Sequence, residues 1–124
     1  MLKRSGMAAL LLASATAANA ATGDMSVATF LAKVDALKAK GPMALFSPDI
    51  GMLKNEAYAA GRASRARLLQ EKAAGKPSSC PPASTKVSQD MWLTHLQSYP
   101  LAQRAQISLH RAMADMFIKN FPCR

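Results

Sequence analysis

The apolar positions of this chain recur at helical spacing, in runs separated by proline and glycine. Val27, Phe30, Leu31, Val34 and Leu37 repeat at three and four, which predicts a helix from Ser26, its N-cap, to about Lys40. Gly41-Pro42 stops it, and Met43-Ala44-Leu45-Phe46 forms a short apolar link. Ser47-Pro48-Asp49 then supplies a cap, a first-turn proline and an acid at the positive end of the helix dipole. A second helix is expected from there to about Ala74, with Gly75 as its stop. Its stripe of Ile50, Leu53, Ala57, Ala60, Ser64 and Leu68 is rich in small residues, so a neighbouring helix can approach closely. Residues 75–87, with Pro77, Pro81 and Pro82, read as a loop. Ser88 caps a short helix carrying Met91, Trp92, Leu93 and Leu96, which ends at Tyr99-Pro100. A last helix is expected from about Leu101 to Asn120, with Leu109, Ala112, Met113, Met116 and Phe117 facing the core. Trp92 and Leu96 are expected to pack on it. No stretch alternates β-branched residues as a strand would, so the expected fold class is all-α, a small single-domain bundle of about four helices.

The first twenty residues belong to a different pattern. Lys3 and Arg4 precede an alanine-rich apolar run from Met7 to Ala18, and Ala18-Asn19-Ala20 has the small-x-small form of a cleavage site. The run is shorter than the ~20 residues that span a bilayer. Residues 1–20 are therefore expected to be a signal peptide cleaved near Ala20, and residues 21–124 an exported, periplasmic domain. That domain carries 14 basic and 7 acidic side chains, a net charge of +7.

Export changes the meaning of the two cysteines, Cys80 and Cys123. In an oxidising compartment they are expected to form one disulfide, tying the chain end to the mid-chain loop. Closing that loop of 43 residues is worth roughly 4 kcal/mol by chain entropy. Neither cysteine has a histidine within ten positions, which argues against a reactive thiol or a metal site.

Little else points to chemistry. His95 and His110 have no carboxylate at i+3 or i+4, and the acids are scattered. There is no nucleophile elbow, phosphate-cradling glycine loop or zinc spacing. The methionines sit mostly at core spacing, and neither a cofactor nor catalysis is expected. The distinctive surface feature is basic. Lys54, Arg62, Arg65 and Lys72 fall within roughly 80° of one another around the second helix, with Tyr58 on the same side. Lys76 and Lys86 lie on the loop that follows, and Arg67 points elsewhere. The plain reading is a solvated face; the functional one is a patch for an anionic partner, an acidic protein surface, anionic lipid or cell-wall polymer. Nucleic acid is not an expected physiological ligand of an exported chain, although a pI near 10.1 predicts salt-sensitive, nonspecific binding in vitro.

The C-terminal half resembles a known family. Cys80-Pro81, Leu96, Tyr99-Pro100, Ala112 and Phe121-Pro122-Cys123, preceded by Tyr58-Ala59-Ala60-Gly61, are similar in residue and spacing to the Tai/Rap immunity proteins. Those are small exported helical proteins that protect bacteria from amidases delivered by type VI secretion. The resemblance covers about residues 48–124. It does not extend to the helix over 26–40, nor to the additional cysteine pair that family members often carry around the Tyr-x-x-Gly helix. It implies inhibition of a peptidoglycan amidase effector by occluding its cleft, without chemistry by the inhibitor, and a role for Gly61 in letting two helices touch. The candidate partner-binding residues are Lys54, Arg62, Arg65, Lys72, Lys76 and Lys86. The alternative is a basic envelope-associated protein that binds anionic lipid or polymer. The helix over 26–40 is expected either to pack in the core or to swap between the chains of a homodimer.

Overall fold

A computed structural model describes residues 24–124, so the expected signal peptide lies outside the described residues. The described chain is all-α, with four α-helices, two 3-10 segments and one disulfide. Helix α1 spans Val27–Ala39, α2 Asp49–Ala73, α3 Gln89–Gln97 and α4 Leu109–Asn120. Three starts are fixed by serine. Ser26, Ser88 and Ser108 each accept from the backbone N–H three residues on, at 3.1 Å in every case, which satisfies a donor that the first turn leaves free. Ser47 accepts from the N–H of Asp49 at 3.2 Å at the head of α2. At its other end, Gly75 takes φ +73° and Lys76 N–H returns to the carbonyl of Glu71 at 2.9 Å, a left-handed stop that a Cβ would strain.

One core joins all four helices. Val27, Phe30 and Leu31 of α1 meet Leu53 and Ala60 of α2, Trp92 and Leu96 of α3, and the buried face of α4. Helix α1 therefore packs into the core of its own chain. Trp92 sets its ring edge-on to Phe30, with centroids 6.0 Å apart, so its aromatic partner comes from α1. The α4 stripe of Leu109, Ala112, Met113, Met116 and Phe117 is buried throughout.

The structure corrects the last helix. Instead of one helix from Leu101 to Asn120, Leu101–Gln106 is a 3-10 segment, Ile107 is extended, and α4 begins afresh after Ser108. The cause is a backbone pairing between distant parts of the chain. Val27 N–H donates to the carbonyl of Ile107 at 2.8 Å, and Leu109 N–H to that of Met25 at 2.9 Å. The isolated antiparallel bridge between Ser26 and Ser108 sits between them. Those bonds require extended backbone at 107, which buries the Ile107 side chain and stops a helix from running through. The apolar link Met43–Phe46 also takes 3-10 form, within Gly41–Phe46.

The expected bridge forms. Cys80 and Cys123 are joined, with Cα atoms 4.9 Å apart. A hydrogen bond from Cys80 N–H to the carbonyl of Phe121 at 2.7 Å fastens the same two segments beside it. The loop between α2 and α3 is thus held at its start and against the chain end.

Candidate functional site

A groove of about 750 Å³ lies on one side of the core, lined by residues of α1 and α2. Phe30, Val34 and Leu37 of α1 form one wall, and Ile50, Leu53, Ala57 and Gly61 of α2 the other. Val87, Trp92 and Leu93 close the far side, and Met113 and Phe117 of α4 lie at the bottom. The floor is therefore largely apolar, made from the exposed edge of the core cluster. The rim is cationic: Lys38, Lys54, Arg62, Arg65 and Lys86 line it, and no acidic residue does. Four of the six sequence candidates, Lys54, Arg62, Arg65 and Lys86, are thus brought to one opening. Arg65 also reaches across it, its Nη2 donating to the carbonyl of Thr85 at 3.4 Å, which links the α2 rim to the loop rim.

Lys72 and Lys76 do not line the groove. They lie on the last turn of α2 and beyond its stop, past the point where the helix leaves the opening. Angular position around α2 placed Lys72 with Lys54, but the groove uses only part of the helix length. Arg67 faces away, as expected, and pairs with Glu71 at 3.3 Å. Glu71 also accepts from the N–H of Ser78 at 2.9 Å and from its hydroxyl. The Ser78 hydroxyl, then its N–H, hold the Glu71 carboxyl below the usual range. This cluster organises the loop entrance, not the groove.

Gly61 occupies an unexpected position. The family resemblance implied that it lets two helices touch, yet a Cβ placed there would meet nothing nearer than Met113 Cε at 4.0 Å, an ordinary contact. Gly61 stands in the interior of a 25-residue helix, where glycine costs about 0.8–1.0 kcal/mol relative to alanine. Among the described residues no close packing contact at Gly61 requires that cost. Gly61 lines the groove beside Arg62, and the absence of a side chain there leaves the α2 backbone uncovered on that wall.

Sequence spacing missed a polar chain between α3 and α4. Tyr99 donates its hydroxyl proton to Asp115 Oδ2 at 2.6 Å, and His95 Nε2 lies 2.9 Å from the same hydroxyl. With that proton committed to Asp115, His95 Nε2 is placed to donate to the Tyr99 oxygen. Burial lowers the His95 pKa, outweighing the pull of Asp115. Burial and the Asp115 bond raise that of Tyr99. Arg104 completes the junction, donating from Nε to the carbonyl of Tyr99 at 2.9 Å and from Nη2 to that of Gln97 at 2.8 Å. Asp115 lies on the next helix, so a search at i+3 and i+4 from His95 could not find it. The second histidine, His110, has its Nδ1 2.9 Å from Asp24 Oδ1. Among the described residues no group of three or more His, Cys, Asp and Glu side chains is gathered where it could hold a metal ion, and no helix is long and apolar enough to cross a membrane.

No family model, curated protein or solved structure matches this chain.

Proposed function

We propose that this is an exported, non-catalytic binding protein whose cation-rimmed groove takes an acidic, apolar-faced segment of a partner protein. The observation that carries this reading is the groove itself: an apolar floor that includes Trp92, five cations on the rim, no acid, and a helix-interior glycine in its wall. A segment with an apolar stripe and flanking carboxylates complements each part, in the manner of an amphipathic helix laid in a groove. Tyr58, Arg62, Arg65 and Trp92 are the residue types that carry most binding energy at protein interfaces. The His95–Tyr99–Asp115 chain joins two helices and has its Nδ1 buried, so it serves stability better than catalysis.

The resemblance of residues 48–124 to amidase immunity proteins extends this reading to the partner. It makes that partner a peptidoglycan amidase effector, inhibited by stoichiometric occlusion. The test is inhibition of a captured amidase by the protein and by its Arg62→Glu/Arg65→Glu variant. Inhibition that saturates at one inhibitor per enzyme and is lost in the variant supports the reading. Capture of anionic polymer or lipid alone, released by salt, would favour the basic envelope-associated alternative.

A further inference from the structure

The segment between α1 and α2 has a surface that the groove does not use. Of the seven large apolar side chains that stand exposed among the described residues, Met43, Leu45 and Phe46 fall within four consecutive positions, at 66%, 79% and 82% exposure. The other four are separated along the chain. Single exposed apolar residues are ordinary; a cluster at a tip marks an interaction site. No residue of Gly41–Phe46 is buried, so the core does not account for the sequence of this turn. Its shape is fixed from both sides. Gly41 takes φ +57° and Pro42 locks the first turn of the 3-10 segment, while Ser47 N–H returns to the carbonyl of Ala44 at 3.0 Å. The apolar side chains are presented on a short, braced tip.

The charge around the tip selects its occupant. Between Asp35 and Asp49 there is no acid, and Lys38 and Lys40 stand immediately before the turn. Asp49 is the first residue of α2, where the helix dipole offsets its charge. A compact set of Phe, Leu and Met flanked by lysines has the composition of an interfacial membrane anchor, in which apolar side chains enter the headgroup boundary and cations face anionic lipid. We propose that the Met43–Phe46 tip docks on an anionic membrane surface and holds the protein against the envelope, with Lys40 facing the headgroups. This inference rests on the export reading alone. Lys40, Leu45 and Phe46 do not line the groove, whereas Lys38 does, so substitutions at 40, 45 and 46 separate docking from partner binding.

The test is co-sedimentation of the oxidised protein, expressed from the full chain, with two kinds of vesicle. One is phosphatidylethanolamine with phosphatidylglycerol, and the other is phosphatidylcholine. Binding is expected to the anionic vesicles, weaker at high salt. The Leu45→Ser/Phe46→Ser variant should lose roughly tenfold or more in partitioning, and Lys40→Glu several-fold. Both substitutions lie on the surface, and unchanged circular dichroism and Trp92 fluorescence will establish that the fold is intact. All variants carry the same N-terminus, so differences report the tip. Absence of binding to anionic vesicles, or equal binding by the serine variant, would overturn the proposal. So would a concentration-dependent dimer that the serine variant abolishes without any vesicle binding, since that assigns the tip to a second copy.

Discussion

Replacing Gly61 by alanine should make this protein more stable and less able to bind. In the folded state the added methyl group would lie 4.0 Å from Met113 Cε and meet no other atom within that radius, so it introduces no overlap. The gain comes from the backbone: alanine in a helix interior is favoured over glycine by about 0.8–1.0 kcal/mol, chiefly because the unfolded chain loses freedom. For a domain of this size about 1 kcal/mol corresponds to a rise of roughly 4–8 °C in the unfolding midpoint. Urea and thermal unfolding followed by circular dichroism would read both numbers. Gly51 is the internal control, since a Cβ there meets nothing within 4 Å and it does not line the groove. Gly51→Ala should also be stabilising, by less because it sits in the first turn, and should leave binding unchanged. Gly61→Leu, which places a larger side chain at the groove wall, should weaken partner binding further than Gly61→Ala. Loss of stability in Gly61→Ala would refute the reasoning, because it would mean that α2 needs glycine for packing and not for a ligand.

Two further expectations concern the scaffold. Replacing both Cys80 and Cys123 by serine should cost up to about 4 kcal/mol for a loop of 43 residues, measured by urea unfolding of the oxidised protein against the double variant. A smaller loss is expected if the neighbouring Cys80–Phe121 backbone bond keeps the ends together, and no loss would mean that the bridge is dispensable. His95 sets an acid limit. Its pKa is lowered by burial from an unfolded value of 6.5, with Asp115 opposing and Lys119 assisting the shift. As pH falls below 6.5 the unfolded chain takes up a proton that folded His95 refuses, so stability declines until the folded pKa is reached and is insensitive to this group above 6.5. The slope is at most about 1.4 kcal/mol per pH unit, and His95→Gln should flatten it in unfolding curves recorded on both sides of that pH.

Much of the scaffold could be read from local signals. Ser26 and Ser88 announced their helices because capping is a property of a residue and its next three neighbours. The two cysteines allowed one pairing. The break at Ile107 escaped because its cause is not local: the bonds that hold it extended come from Met25 and Val27, eighty positions earlier, while the apolar spacing on either side is compatible with a continuous helix. The His95–Tyr99–Asp115 chain escaped for the same reason. For the groove, the cations on α2 and the loop were visible as a face, but Lys38 and much of the apolar floor come from other helices, whose placement beside α2 no spacing encodes. Gly61 was visible in the sequence, but as a helix-contact glycine. A glycine interrupts α2 in a run of helix-forming residues, next to Arg62, with no turn to explain it. Such a position marks either a close contact within the fold or space reserved for a partner, and only the distance to Met113 separates the two.

Whether the groove binds a partner protein is tested most directly by one titration. Envelope extract passed over the immobilised protein and washed at high salt would supply the bound species, and its hydrolysis of peptidoglycan would be titrated with wild type, Arg62→Glu/Arg65→Glu and Gly61→Leu. Activity that falls to zero at one equivalent of wild type, with both variants shifted by tenfold or more in the concentration required, is the predicted result. Inhibition undiminished in both variants, or no amidase retained at high salt, would contradict it.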